Sequence, residues 1–492
     1  MPLNIQQHLL DTVRNNFGKG DKWALVIGDL MLDRYLIGVV GRISPEAPVP
    51  VVLIKQQNER AGGAANVAAN LIKLGIPTRI AGCIGHDADG EILLKIVTEL
   101  GLGTQGIMQS KLRPTITKTR ILGGHQQIVR LDQENSDAFC SAENEQLQAL
   151  VAKQLAEQPA MVILSDYAKG VLSSGLCAEV IKQAHQLRIP VLVDPKGTDY
   201  SKYKGATALT PNKHEAAEAC GVDIGNNAAL LSATSMLRKT LGLQFLAITR
   251  GEEGITVTDE NATLHIPATA KQVFDVSGAG DTVIATLAAG MMHSLNHQEA
   301  LQLANIAAGI VIGKVGTVPI TREDLISELM SQNSALQVNK ICDLETLRER
   351  VNTWRSSGQH IVFTNGCFDL LHAGHVAYLE AARKTGDKLV LGLNTDRSVS
   401  VLKGPGRPVI HEADRARVLA ALEAVDAVTL FDEDTPLALI NAIKPDVIVK
   451  GDDYAEDQVV GGAEVKSWGG QIVLIPIVPG RSTSGILEKI AS

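Results

Sequence analysis

A chain of 492 residues is longer than one ordinary core organises; at roughly 100–200 residues per domain it should hold several. With 45% hydrophobic and 20% charged residues, its composition is that of a folded globular protein, not a disordered chain. A net charge of −8 and an aromatic content of 3% exclude a basic, base-stacking nucleic-acid surface, and no apolar run approaches the ~18 residues of a membrane span.

Met1–Gly20 mixes Gln, Asp, Arg and Lys and lacks the apolar core of a secretion signal. From there the elements run in order: strand Trp23–Ile27, helix Ala65–Leu74, helix Glu91–Leu100, strand Met161–Ser165, helix Gly175–Leu187, strand Val191–Asp194, helix Glu215–Ala219 and strand Phe245–Thr249. Such alternation predicts a largely parallel sheet covered on both faces, an α/β fold. Two stretches break it. Residues 36–55, interrupted by Pro45, Pro48 and Pro50, and residues 115–131 both read as extended with no helix between strands. They are either a small separate sheet, a lid, or edge strands of the main sheet. Residues 331–339 are polar and weakly patterned, a predicted linker. Alternation then restarts with helix Leu344–Trp354 and strand Ile361–Thr364. The boundary is placed near 335–343, giving domains over 1–335 and 343–492 with no shared repeat. The cysteines at 83, 140, 177, 220, 342 and 367 form no Cys-x-x-Cys pair, so no disulfide framework is expected and the cytoplasm is the expected compartment.

Gly101–Gly106 matches the spacing G-x-G-x-x-G but follows a helix, so a helix end and turn is expected. Gly309–Lys314 is one spacer short of a phosphate-binding P-loop. Asp275-Val-Ser-Gly-Ala-Gly-Asp281 is different, because it opens a predicted helix over Thr282–Met292. Gly278, Ala279 and Gly280 would leave the first helix amides bare, an anion hole at the positive helix end. A carboxylate there would repel phosphate unless it works. Asp281 can take a proton from an attacking hydroxyl while the amides hold the transferred phosphoryl group, and such a base is worth about 10²–10⁴-fold. The plainer alternative is an Asp cap after a glycine turn.

Gly278-Ala-Gly-Asp281 resembles the signature of the ribokinase-like (PfkB) sugar kinases, with Val276 where that family usually has Thr. Further matches follow over roughly residues 1–320. Gly62-Gly63-Ala-Ala-Asn66 is similar to the family's first glycine motif, and Asp29 and Asp33 to its sugar-gripping acids; the resemblance implies that Gly62, Gly63, Asn66, Asp29 and Asp33 bind sugar. Asn212-Lys-His-Glu215 is similar to the Asn-x-x-Glu element that organises Mg2+ through water, which makes Glu215 the implied metal residue. Lys196, Asn212, Glu215, Thr249, Gly251 and Gly254 are then the implied nucleotide contacts. The resemblance also implies that the extended segments form a lid used for dimerisation. Lys118, Arg120 and Arg130 are candidates for holding a sugar phosphate, or else solvated strand charges.

In the second half, strand Ile361–Thr364 runs into Asn365-Gly-Cys-Phe-Asp-Leu-Leu-His-Ala-Gly-His375. His372 and His375 stand at i, i+3 and share a face if helical. Three readings are open: ordinary helix histidines; a zinc pair, for which Cys367 and Asp369 sit at no zinc spacing; or two donors to the charge that builds on a leaving pyrophosphate. His-x-Gly-His after Gly-x-Phe-Asp resembles the cytidylyltransferase-type nucleotidyltransferases over roughly residues 343–492. That resemblance implies a Rossmann-like fold in which His372 and His375 are catalytic. Thr364, Asn365, Gly366, Phe368, Lys403 and the closing motif Arg481, Ser482, Thr483 and Ser484 would bind nucleotide, while Asp396, Lys450, Asp452 and Asp453 would shape the pockets.

With the run Gly41–Pro50, the whole chain resembles the bifunctional heptose kinase/adenylyltransferases of Gram-negative bacteria. The resemblance implies phosphorylation at O1 of D-glycero-β-D-manno-heptose 7-phosphate, then adenylyl transfer to the 1-phosphate after a separate phosphatase. It also implies ATP as co-substrate, Mg2+, a monovalent cation such as K+ as a further candidate, sugar phosphates as partners and a homodimer through the lid. Other sugars, CTP in place of ATP, and a sensor with one inactive site are the alternatives.

Overall fold

The computed structural model describes residues 3–124, 126–269, 275–314 and 316–476, and the chain divides into two compact units at Met330/Ser331. In chain order the first unit has strands β1 (Ala24–Gly28), β2 (Leu30–Ile43), β3 (Pro50–Gly63), β4 (Thr78–Gly85), β5 (Gly103–Ser110), β6 (Ile116–Gly123), β7 (Gln126–Gln133), β8 (Met161–Ser165), β9 (Val191–Asp194), β10 (Ala208–Leu209), β11 (Phe245–Thr249), β12 (Ile255–Thr258) and β13 (Thr263–Ile266). The main sheet runs β13-β12-β11-β10-β9-β8-β1-β4-β5, parallel from β11 to β5 and antiparallel at β12 and β13.

Continuous apolar strands are what a sheet buried on both faces requires, because successive side chains point to opposite sides. In β1, Ala24 and Val26 enter one core while Leu25 and Ile27 enter the other. Helices Ala64–Lys73, Ala279–Met292 and His297–Val311 fill the first core, and Ser141–Ala156 and Ser174–Gln186 fill the second. From β1 the chain builds outward to β4 and β5 on one side and to β8–β11 on the other. The order therefore reverses at β1/β8, and a crevice opens at the carboxyl ends of the strands there.

The two extended stretches form a separate four-stranded sheet, β3-β2-β6-β7, rather than edges of the main one. Its register sets Asp33 beside Arg60 and Lys118, and Tyr35 beside Asn58 and Arg120, so these side chains share one face. Gly101, at φ 81°, turns the chain out of helix Ala88–Glu99 and into β5.

The second unit has strands β14 (Ile361–Gly366), β15 (Lys388–Asn394), β16 (Ala427–Phe431), β17 (Val447–Gly451) and β18 (Gln471–Ile475), all parallel in the order β16-β15-β14-β17-β18. Val362 faces one core and Ile361 and Phe363 the other. Here the order reverses at β14/β17.

The expected linker over 331–339 is corrected: those residues belong to the helix Arg322–Asn339. Their polarity hid it, but no Gly or Pro stands anywhere in 322–339 to stop a helix. The predicted helix Glu215–Ala219 is longer, Lys213–Cys220, because Asn212 and Glu215 close a capping box at its start. Among the described residues no helix is long and apolar enough to cross a membrane.

Candidate active sites

The first site lies where the switch in the main sheet predicts a crevice. A cleft of about 1010 Å³ is lined by Asp194, Lys196, Asn212, Glu215, Thr249, Gly251 and Gly254 from the strand ends, and by Gly278–Asp281 from the opposite wall. The structure thus gathers every residue expected on the nucleotide side with the expected anion hole. Gly278 sits at φ 79° and ends the turn that starts helix Ala279–Met292. One detail differs from the expectation of bare amides: the Ala279 N–H closes a 3.3 Å turn bond onto the Val276 carbonyl. Gly254, at φ 98°, admits no side chain, since a Cβ there would overlap the Ile266 carbonyl.

Asp281 lies in the first turn of that helix, not at its cap, and is buried. Asn66 Nδ2 donates to its Oδ2 and the Tyr167 hydroxyl to its Oδ1, each at 2.7 Å. Burial raises its pKa, the two hydrogen bonds oppose that, and Asp33 adds to the rise; the balance is about 6. Asp194 is held well above the usual carboxylate range by burial first, then by the charges of Asp281 and Glu215.

The residues expected to grip sugar divide. Asp33 stays at the site, taking Arg120 Nη1 at 2.6 Å and the Thr317 hydroxyl at 3.2 Å. Gly62 leaves room for it, as a Cβ would stand 2.7 Å from Asp33 Oδ2. Gly63, at φ 57°, turns the chain into helix Ala64–Lys73. Asn66 faces Asp281. Asp29 is a correction: fully buried, its carboxylate accepts backbone N–H groups of Tyr167, Lys169 and Val171 and is turned to the loop after β8, not to the cleft. The two aspartates look equivalent in sequence, but only Asp33 lies on the lid strand. Lys118 and Arg130 are paired with Asp132, and Lys118 also with Glu134. Sequence reasoning missed Tyr167 and Asp166, and passed over Asp194. The last two were findable as acids ending apolar strands; a single Tyr in a loop carries no such signal.

The second site sits at the β14/β17 switch. His372 caps helix Ala373–Arg383, and its ring stacks on His375 with centroids 3.9 Å apart and planes at 18°. Phe368, at φ 44°, brings its ring to 5.1 Å from His375. Gly366 makes room, since a Cβ would stand 2.9 Å from that ring. Burial, then His372 and Lys403, push the His375 pKa down to about 4, so at neutral pH the ring is a neutral donor of one N–H.

Other expected contacts are already engaged. The buried Thr364 hydroxyl lies 2.8 Å from the Tyr378 hydroxyl and donates to the Val449 carbonyl at 3.0 Å. Asn365 Oδ1 accepts from Lys450 Nζ at 2.7 Å, and burial lowers the Lys450 pKa to about 8. Lys403 ends helix Asp396–Lys403. Arg481, Ser482, Thr483 and Ser484 lie outside the described residues. Asp369, weighed in the sequence only as a zinc partner, has another role, and Arg415 was missed. Asp369 pins the loop before the helix Glu412–Ala420, accepting from Arg407 and from the Val409 and Ile410 N–H groups. Buried Arg415 ties the Cys367 and Asn394 carbonyls to Asp396. Among the described residues no group of three or more His, Cys, Asp or Glu forms a metal cage.

Residues 22–323 match the model of the pfkB family carbohydrate kinases, and residues 363–478 match the cytidylyltransferase-like model. The chain is 67% identical over 488 residues to the bifunctional protein HldE of Methylobacillus flagellatus, covering 99% of this chain and 100% of that one. It is 53% identical to the HldE of Magnetococcus marinus, covering 96% and 97%. The first unit also shares its fold with Arabidopsis thaliana ribokinase solved with ribose and ATP (TM-score 0.50, 21% identity, 63% of this chain and 99% of that one). Phosphofructokinase-2 of Escherichia coli with substrates and products is a second such structure (TM-score 0.54, 16% identity, 63% and 99%).

Proposed function

The chain belongs to the family of the bifunctional HldE proteins, and from that membership we propose that it carries out two steps of ADP-heptose synthesis for lipopolysaccharide core. It joins a sugar kinase and a nucleotidyltransferase, both using ATP. The kinase, assigned to residues 1–335, phosphorylates O1 of D-glycero-β-D-manno-heptose 7-phosphate. The transferase, assigned to residues 343–492, attaches the adenylyl group of ATP to the 1-phosphate and releases pyrophosphate. A separate phosphatase acts between the two steps, in the cytoplasm.

One observation carries this reading: a single chain holds two candidate sites, each at the strand-order reversal of its own sheet. In the first, Asp281 accepts the proton of the sugar hydroxyl as its oxygen bonds to the γ-phosphorus, while amides of the Gly278–Gly280 turn face the phosphoryl charge. Lys196, paired with Glu215 at 2.7 Å, adds positive charge on the nucleotide side. Glu215 would hold Mg2+ through water, and the Asp194 carboxyl would ionise in a cation's field. Bound there, Mg2+ would neutralise phosphate charge. A monovalent cation such as K+ is a candidate activator. In the second site a sugar-phosphate oxygen attacks the α-phosphorus in line, and His372 and His375 donate to phosphate oxygens as charge moves to pyrophosphate. Exposed Val39, Ile43, Leu53 and Leu131 on the four-stranded sheet support a homodimer through that lid.

Phosphorus NMR of the products tests the assignment. With Mg-ATP, heptose 7-phosphate is expected to give ADP and the 1,7-bisphosphate, and heptose 1-phosphate to give pyrophosphate and ADP-heptose. Silence with both sugars, but turnover with another sugar or with CTP, would overturn it.

A further inference from the structure

The loop that leaves β8 is held more firmly than a surface connection needs. Asp29, wholly buried, accepts the N–H groups of Tyr167 at 2.9 Å and Lys169 at 3.1 Å on Oδ2, and that of Val171 at 3.2 Å on Oδ1. Asp166 takes the Ala168 N–H on Oδ1 at 2.7 Å. Its other oxygen accepts Lys202 Nζ and the Tyr203 hydroxyl, both at 2.6 Å. Between these clamps Ala168 stands at φ 56°, a left-handed conformation that an alanine keeps only when its surroundings impose it. Ala168 is exposed, so the strained turn serves its neighbour. It aims the Tyr167 hydroxyl at Asp281 Oδ1, 2.7 Å away, opposite the Asn66 amide on Oδ2.

We propose that Tyr167 is a positioning residue for the kinase step: its hydroxyl fixes the plane in which the Asp281 carboxylate meets the sugar hydroxyl. The inference rests on the reading of Asp281 as general base. Each carboxylate oxygen keeps a second lone pair, so these bonds orient the base without blocking it. The sugar O–H bond breaks, an O–H bond to Asp281 forms, the sugar oxygen bonds to the γ-phosphorus and ADP leaves with the electron pair of the broken P–O bond. The groups facing the base are Asn66, Tyr167 and the carboxyls of Asp33 and Asp194. Burial and the Asp33 charge favour the protonated form, and the two donors favour the ionised one. Removing the Tyr167 hydroxyl therefore shifts Asp281 towards protonation as well as loosening it.

The test is the pH dependence of the kinase reaction in the full chain carrying Tyr167→Phe, which keeps the ring. The acidic limb of kcat/KM is expected to move up by about one pH unit, and the plateau kcat to fall about 10-fold with the KM for heptose 7-phosphate unchanged. Adenylyl transfer by the same preparation should match wild type. A limb that does not move, or a raised KM with an unmoved limb, which would make Tyr167 a sugar contact, overturns the inference. Asp281→Asn run alongside separates the two levels. If that variant still phosphorylates sugar, the general-base reading fails and the inference with it. If it is silent while the Tyr167→Phe profile stays in place, only the positioning role is lost.

Discussion

Asp281→Asn is expected to lower kinase turnover by about 10²–10⁴-fold while adenylyl transfer proceeds at the wild-type rate. The substitution keeps the size of a side chain buried between Asn66 and Tyr167 but removes the carboxylate assigned to take the sugar proton. It also offers a single acceptor oxygen to two donors, so the remaining geometry cannot compensate. Because the wild-type pKa is raised to about 6, kinase kcat/KM should rise with pH through that value, and this limb should vanish in the variant. The sign is fixed by the role: a base works ionised, so activity lies above the pKa. The same shift bears on stability. A carboxylate whose folded pKa exceeds its ordinary 3.8 stabilises the fold less once ionised, so stability declines between about pH 3.8 and 6 and is flat beyond. A coupled assay for ADP across pH checks the activity limb directly.

His375→Ala is expected to do the converse, costing adenylyl transfer roughly 10²–10³-fold and sparing the kinase. The ring is neutral near pH 7 and half enclosed by His372 and Phe368, so it is oriented before substrate arrives. Such a donor acts mainly on charge that develops in the transition state, so kcat should fall more than the KM for ATP rises. The variant also strips His372 of its stacking partner, which places the loss at the upper end of that range. Pyrophosphate release from heptose 1-phosphate and ATP measures it. A fall in the kinase rate of the same preparation would contradict the separation of the two sites.

How much of this was legible in the sequence depends on how local the cause is. The glycine turn before Asp281 could be read because helix amides and their charge are set within a few residues. Asn212 and Glu215 were legible only through the resemblance of their motif, and the structure gives them a capping box besides their place in the cleft. The sheets followed from apolar runs long enough to be buried on both faces. The separate lid stayed open, since a strand's sequence does not say which sheet will pair with it; only the β2–β6 register decides. The helix over Arg322–Asn339 was half hidden because its polar second half shows no apolar face. Asp29 and Asp33 were read alike, although one is buried under a loop and the other lies on the lid. Tyr167, 114 positions from Asp281, and Arg415, which joins three separated carbonyl and carboxylate partners, owe their roles entirely to tertiary structure.

Complementation tests the central claim, two independent chemistries on one chain, most directly. The Asp281→Asn and His375→Ala proteins would be supplied singly and as an equal mixture with heptose 7-phosphate, Mg-ATP and a phosphatase specific for the 7-phosphate of the bisphosphate. ADP-heptose is then measured. Neither variant alone should form it above the residual rates given above, and the mixture should form it at a rate approaching wild type. A mixture no better than its components, from proteins that each retain their own half-reaction, would contradict independent sites.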